Sequence, residues 1–129
     1  MKSLVITADD FGAAKEVNDA VETAHRHGVL TAASLMVTGA AAADAVARAK
    51  AMPSLRVGLH LVLVDGTAAL PVSQVASLVR GGRFDSNMAR AGAAMFFRPK
   101  ARRELAREIE AQFQAFAATG LALDHVNTH

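Results

Sequence analysis

The feature that most constrains the fold is a regular alternation between short apolar segments and longer segments of helical periodicity. Strands are predicted over residues 3–7, 29–37 and 55–64, and helices over residues 13–28 and 40–52. Gly28 and Pro53 end the two helices, because glycine favours the position after a helix and proline cannot continue one. The segments between the strands are long enough for crossover helices, so this half of the chain predicts neighbouring parallel strands.

The second half of the chain contains a long irregular segment and then the clearest predicted helix. Residues 65–98 are interrupted by glycine and proline and are expected to form a functional loop. A helix is predicted from Lys100 to about Thr119, and a last strand over residues 121–129. The apolar stripe of that helix is predicted to consist of Leu105, Ile109, Phe113 and Phe116. The whole pattern indicates an α/β protein with a mostly parallel sheet and flanking helices.

Length and composition exclude several classes of protein. The 129 residues suffice for one domain, expected to span residues 1–129, but a closed eight-stranded α/β barrel needs about 200 to 250. The chain contains no cysteine, which excludes disulfides, thiolate zinc sites and cysteine nucleophiles. The formal charge is only +2, and the basic run at 98–108 is typical of a solvated helix face. No apolar run reaches the ~20 residues of a membrane span. We expect a cytoplasmic protein that has no membrane span and does not bind nucleic acid.

Acids and imidazoles follow the predicted strands at the points where those strands end. Asp9 and Asp10 come directly after the first strand, and His60 lies late in the third. Four polar residues accompany the last strand: Asp124, His125, Asn127 and His129. Because the carboxyl ends of parallel strands meet at one edge of a sheet, these side chains are predicted to converge there.

Each of these residues also has a purely structural interpretation. His60 could be a core histidine with both ring nitrogens hydrogen-bonded, and Asp10 could cap the first helix. His25 and His27 suit the negative end of a helix dipole. His125, out of phase with its neighbours along the last strand, is expected to point away from the site.

A carboxylate and two histidines from three strand ends form a ligand set that suits one divalent cation. Such a set leaves coordination positions open for water and substrate, which a catalytic metal requires. A second carboxylate beside the ligand is well placed to take the proton of the attacking water. The pattern alone leaves open which acid of the pair has which role.

Three motifs resemble those of a known family. The segments TADDFG at residues 7–12, GLHL at 58–61 and HVNTH at 125–129 are similar to those of the YdjC-like carbohydrate deacetylases. That family includes chitooligosaccharide deacetylases and a hopanoid-biosynthesis-associated branch. The flanking segments VNDAV, GVLTAASLMV and PSLRVGLHLVL also look like the family, so the resemblance covers nearly the whole chain.

The resemblance implies a (β/α) barrel-like fold and a reaction. The reaction is hydrolysis of the N-acetyl group of an amino sugar, oligosaccharide or glycolipid, with one divalent cation, Mg²⁺ or Zn²⁺, as cofactor. By their positions in the motifs, Asp10, His60 and His129 would hold the cation. Asp9 would act as the catalytic base, and the implied partner is an N-acetylated carbohydrate.

The resemblance also implies a difference in length, because members of the family continue well past the last matched histidine, His129. We therefore expect a domain truncated on its C-terminal side, with an open sheet edge that pairs with another chain to form a homo-oligomer. The activity of such a chain is left open, and a metal-binding fragment without activity is one alternative.

A receiver-like signalling module is the alternative from a different class. Such modules have a similar length, alternate strands with helices, and bind a cation through an acidic pair after the first strand. They also need a phosphoacceptor aspartate at the end of the third strand and a lysine after the last one. This chain offers His60 and Asp65 at the third strand and no lysine in residues 121–129, which disfavours the receiver class.

Overall fold

The structure, a computed structural model, describes residues 4–129 apart from the side chains of Met88 and Ala94. Its elements are, in chain order, β1 (Thr7–Phe11), α1 (Lys15–His27), β2 (Ala32–Leu35), α2 (Ala42–Lys50), β3 (Arg56–Leu61), a 3₁₀ turn (Val72–Gln74), β4 (Val79–Arg80), β5 (Arg83–Phe84), α3 (Met88–Phe97), α4 (Pro99–Ala118) and β6 (Val126–Thr128). The predicted order of strands and helices is confirmed. The segment predicted as a loop contains a two-stranded hairpin, β4–β5, and the helix α3.

The strands β1, β2, β3 and β6 form one parallel sheet in that order. Successive parallel strands lie side by side in a (β/α) barrel, whereas a receiver-like doubly wound sheet has its first strand in the interior. Within the described residues, β1 is an edge strand that pairs with β2 alone. The predicted α/β class with a mostly parallel sheet is therefore confirmed, and the receiver-like alternative is wrong.

The first strand begins later than predicted and runs through the acid pair. The prediction placed it at residues 3–7, the first of which lies outside the described residues, whereas the strand spans Thr7–Phe11. Its ladder with β2 starts only at Thr7. Leu4 and Val5, which precede the ladder, are 77% and 54% exposed despite their apolar side chains. Apolarity alone therefore did not locate the start of the strand.

The main core lies between one face of the sheet and the helices α1, α2 and α4. Its buried members include Phe11, Val21, Leu35, Ala45, Leu59 and Phe116. Full burial of a large apolar side chain contributes roughly 1.5 to 3 kcal/mol, so this cluster is the principal source of stability. The second, third and last strands are all shorter than predicted, and Val29, placed in a strand by its sequence, is 73% exposed.

The buried face of α4 differs from the predicted apolar stripe. Phe116 is buried as expected, but Phe113 is 37% exposed. Three polar side chains are buried instead, because each bonds to the backbone of the segment after β3. Gln112 bonds to Val62, Glu108 accepts the N–H groups of residues 69 and 70, and Glu104 accepts that of residue 77. These bonds offset the cost of burying carboxylates. No helix within residues 4–129 is long and apolar enough to cross a membrane.

Glycine and proline mark the ends of several elements. Gly28 follows α1 directly, and Pro99 opens α4, where its missing N–H leaves no hydrogen bond unmade. The turn of the β4–β5 hairpin has Gly81 and Gly82 at φ of +58° and +83°, the left-handed conformations that a tight two-residue turn requires.

Candidate metal centre

The end of β1 that carries Asp9 and Asp10 has an irregular backbone. Asp10 has a φ of +60°, in the left-handed region that is costly for a residue other than glycine, and the pairing with β2 is irregular across the acid pair. Consecutive side chains of a regular strand point to opposite faces, so this irregularity allows both acids to reach the β3–β6 side. The following turn is held by the buried side chain of Asn18, whose Oδ1 accepts the Gly12 N–H at 2.8 Å.

The β3–β6 ladder brings the two histidines of the later motifs together. His60 and Asn127 are paired directly across the ladder. Beyond this pair along the two strands, the backbone N–H of His129 donates to the carbonyl oxygen of Leu61 at 2.9 Å. The His60 side chain is only 3% exposed, while that of His129 is 30% exposed. One imidazole is therefore embedded in the protein and the other lies at the mouth of the site.

Three ligand atoms form a compact triangle. Asp10 Oδ1 lies 3.2 Å from His60 Nε2 and 3.1 Å from His129 Nδ1, and the two nitrogens are 3.3 Å apart. A divalent cation with bonds of about 2.0 to 2.2 Å and tetrahedral or octahedral angles separates neighbouring ligands by about 2.8 to 3.6 Å. The triangle therefore fits one divalent cation, and these are the three residues that could hold it.

Asn127 determines which ring nitrogen of His60 is available to a metal. Its Nδ2 donates to Asp9 Oδ1 at 2.7 Å, and because a carboxylate only accepts, this contact fixes the orientation of the amide. The amide Oδ1 then lies 2.7 Å from His60 Nδ1, which must carry the ring proton because an amide oxygen only accepts. The lone pair of His60 is thereby left on Nε2, the nitrogen in the triangle.

The two acids of the pair have different surroundings. Asp10 faces the two imidazoles, whereas Asp9 lies outside the triangle with its side chain 56% exposed. Asp9 Oδ1 is 4.0 Å from His60 Nδ1 and is held by the amide of Asn127. A carboxylate with one oxygen fixed and a solvent-facing side is suited to accept a proton from water.

Asp124 and His125 form a separate network. His125 Nε2 lies 3.0 Å from Ser34 Oγ, and its Nδ1 lies 2.9 Å from Asp124. The ring passes over Gly58, where an added Cβ would come within 2.5 Å of Nε2. The hydrogen bond from Arg56, followed by the one from His125, lowers the pKa of the Asp124 carboxyl. Because Asp124 also accepts from Arg56, the polar groups of this network bond to one another, and we interpret the network as structural. His125 lies outside the triangle, as expected.

The structure also tests the purely structural roles considered for Asp10, His60, His25 and His27. Asp10 does not cap α1, because the N-cap is Ala14 and no side chain bonds there. His60 is buried as a core histidine would be, but its Nε2 faces two other ligand atoms. His25 and His27 lie in the last turn of α1, as predicted.

Several residues of the site were not identified from the sequence. Asn18 lies within the VNDAV segment, but the pattern gave it no role, and Asn127 was only one of the polar residues of the last strand. A cleft of about 340 Å³ beside Asp10 and His129 is also lined by Asp65 and by residues of the segment after it. These residues carry no motif, so only the folded chain locates them.

A parallel sheet in sequential order, with a carboxylate and two imidazoles gathered at one edge, defines an α/β protein of partial barrel type with a candidate divalent-cation site. The chain belongs to the YdjC-like family, because the family model described as YdjC-like protein matches residues 3–129. The resemblance drawn from the three motifs is thus confirmed.

Curated relatives and a solved structure support this assignment. A carbohydrate deacetylase of Brevibacillus brevis is 44% identical over 128 residues, which are 98% of this chain and 48% of the relative. A chitooligosaccharide deacetylase of Enterobacter sp. (strain 638) is 35% identical, over 99% of this chain and 49% of the relative. The crystal structure of a proposed cellobiose-phosphate cleavage protein of Enterococcus faecalis V583 has 29% identity and a TM-score of 0.85, over 97% of this chain and 47% of that one. The chain spans about half the length of the curated relatives it matches.

Proposed function

We propose that this chain carries the cation site and catalytic base of a metal-dependent carbohydrate deacetylase that hydrolyses the N-acetyl group of an amino sugar or its oligosaccharide. The observation that carries the proposal is the triangle of Asp10, His60 and His129, whose edges of 3.1 to 3.3 Å suit one divalent cation. Membership of the YdjC-like family, with relatives named carbohydrate and chitooligosaccharide deacetylases, supports the reaction class.

Three side chains of the proposed site have the task of holding the cation. Asp10 contributes negative charge, and the neutral imidazoles of His60 and His129 contribute nitrogen lone pairs, an N₂O set that Zn²⁺ accepts readily and Mg²⁺ less so. A bound divalent cation would supply Lewis acidity that polarises the acetamide carbonyl and lowers the pKa of water. The protonated Nδ1 of His60 stays bonded to Asn127, which keeps the ring orientation and tautomer fixed.

Asp9 is proposed as the general base. It accepts a proton from the attacking water while the water oxygen bonds to the acetamide carbon. The amide C–N bond then breaks, the amine takes up the proton that the water has lost, and the acetyl group is released as acetic acid, which ionises to acetate. General base catalysis typically contributes about 10² to 10⁴ in rate. We therefore expect Asp9→Asn to lower kcat by about that factor while the metal content stays unchanged.

The experiment that tests the proposal measures metal content by elemental analysis together with acetate release from an N-acetylated chitooligosaccharide. We expect one divalent cation per chain in the wild type and none in His60→Ala. His27→Ala is the matched control, because this histidine is exposed in the last turn of α1 and should leave the metal content unchanged. Full occupancy in His60→Ala would contradict the ligand assignment.

A second candidate function is metal binding without turnover. The chain spans about half of its curated relatives, so groups that complete the sugar site in them can lie outside these 129 residues. One cation per chain without acetate release would favour this candidate. Acetate release that depends on both Asp9 and His60 would favour the deacetylase.

A further inference from the structure

The cleft beside the triangle has a second polar wall. Asp10 and His129 line one side of this cleft of about 340 Å³, and Thr38, Asp65 and Arg83 line it as well. The volume is at the lower end of the ~300 to 1,000 Å³ typical of small-molecule sites, which combine a shaped cavity with a few placed polar groups. The cleft is therefore large enough for a ligand that lies next to the cation site.

The segment that carries Asp65 is hydrogen-bonded through its backbone to residues of the β4–β5 hairpin and the residue after it. The N–H of Asp65 donates to the carbonyl oxygen of Asp85 at 3.3 Å, and the N–H of Phe84 donates to that of Gly66 at 2.8 Å. Asp65 has a φ of +44°, a left-handed conformation that is costly for a residue other than glycine and that concentrates at functional sites. The hairpin thus holds the backbone of Asp65 at the cleft, with its side chain among the groups that line it.

The charged groups of this wall are available to a ligand. Asp65 Oδ1 and Arg83 Nη2 are 3.7 Å apart, longer than a hydrogen bond, and their side chains are 64% and 62% exposed. By contrast, the nearby Asp85 carboxylate is fully engaged, because it accepts hydrogen bonds from the Arg90 side chain and the Asn87 N–H.

Thr38 provides a third polar group at the cleft. Its Oγ1 is buried and has no hydrogen-bond partner among the described residues. A buried hydroxyl without a partner is costly, and because Thr38 lines the cleft, rotation of its side chain towards a ligand hydroxyl would satisfy it.

We propose that Asp65, Arg83 and Thr38 form a binding subsite for the hydroxyl groups of the sugar whose acetamide lies at the triangle. The carboxylate accepts and the guanidinium donates, which matches the paired donors and acceptors of neighbouring sugar hydroxyls. Because the two charges offset each other, the subsite favours an uncharged sugar over a sugar phosphate. This inference rests on the proposed deacetylase function and extends it to the residues that recognise the substrate.

The test is the affinity of the metal-loaded chain for N,N′-diacetylchitobiose, measured by calorimetric or NMR titration in the wild type and in two variants. Asp65→Asn removes the charge but retains a side chain that tolerates the left-handed backbone, and Arg83→Gln removes the guanidinium. We expect each variant to weaken binding about tenfold, in line with the loss of one charge-assisted hydrogen bond. Where acetate release is measurable, KM rises by a similar factor and kcat changes less than about threefold.

Arg80→Gln is the control, because Arg80 is an exposed arginine of the same hairpin and should leave the affinity unchanged. Unchanged affinity in both variants, with normal circular dichroism and metal content, would overturn the subsite. Absence of saturable binding by the wild type, or tighter binding of the 6-phosphate of N-acetylglucosamine than of the disaccharide, would overturn it too. The proposed function is contradicted by a different result, namely retention of the metal in His60→Ala. The failure of the subsite and the failure of the proposed function can therefore be told apart.

Discussion

Replacing Asn127 with alanine removes the amide that joins the proposed base to the buried metal ligand. Two hydrogen bonds of 2.7 Å are lost, one from His60 Nδ1 to the amide oxygen and one from the amide nitrogen to Asp9. His60 is 3% exposed, so water reaches the freed Nδ1–H poorly, and leaving such a donor unpaired costs about 1 to 3 kcal/mol. Partners that orient metal-bound histidines typically contribute about 10- to 100-fold in metal affinity or activity. We expect Asn127→Ala to weaken metal binding by about that factor.

Asn127→Asp retains the hydrogen bond that residue 127 accepts from His60 and removes the one that it donates to Asp9. A carboxylate at this position still accepts from His60, so metal affinity should stay near the wild-type value. It cannot donate to Asp9 when ionised, and its negative charge repels that carboxylate, so Asp9 loses the contact that fixes its orientation. Acetate release should therefore fall in Asn127→Asp while the metal affinity stays near that of the wild type.

The assay for these variants is a competition titration with a chromophoric chelator, followed by acetate release across pH. Thr128→Ala is the matched control, because Thr128 is the next residue of β6 and pairs with Leu61 instead of with a ligand. Wild-type metal affinity in Asn127→Ala would refute the reasoning, since the amide would then have no influence on the ligand.

Three further predictions concern the rest of the chain. Glu108→Ala removes the acceptor of two backbone N–H groups and should lower the free energy of unfolding by about 3 kcal/mol, measured by urea denaturation; a loss below about 1 kcal/mol would contradict the anchoring role of Glu108. The bond from the Arg90 side chain, then that from the Asn87 N–H, lowers the pKa of Asp85 to about 2, so its stabilising effect is present above about pH 4 and lost as the pH falls towards 2. Hydrogen exchange of α3 should speed up in that window, and Asp85→Asn should abolish the pH dependence. We expect β6, an edge strand within the described residues, to pair with a second copy, and a monomer by light scattering would count against this.

The alternation of strands and helices was predictable because hydrophobic periodicity is a local property of the sequence. The limits of individual strands were not, because burial depends on the neighbouring strand. Leu4 and Val5 look like strand residues but precede the ladder with β2 and stay exposed. The face of α4 shows the same effect, since Glu108 is buried only because a segment about forty residues earlier supplies two N–H donors. Periodicity carries no information about such partners.

The sequence predicted which residues of the candidate site lie at strand ends, but not how they contact one another. Asp10, His60 and His129 were named as ligands from their positions in three motifs, and the structure brings their ligand atoms together. The contact of Asn127 with both Asp9 and His60 depends on the register of β6 against β3, which the sequence does not reveal. The cleft wall at Asp65 depends in turn on the hairpin packed behind it.

The proposed binding of one divalent cation among Asp10, His60 and His129 is tested most directly by anomalous diffraction from crystals grown with Zn²⁺ or Mn²⁺. A single strong anomalous peak is expected at about 2.0 to 2.3 Å from Asp10 Oδ1, His60 Nε2 and His129 Nδ1. A well-ordered triangle without a peak at saturating metal, or a peak at Asp124 and His125 instead, would contradict it.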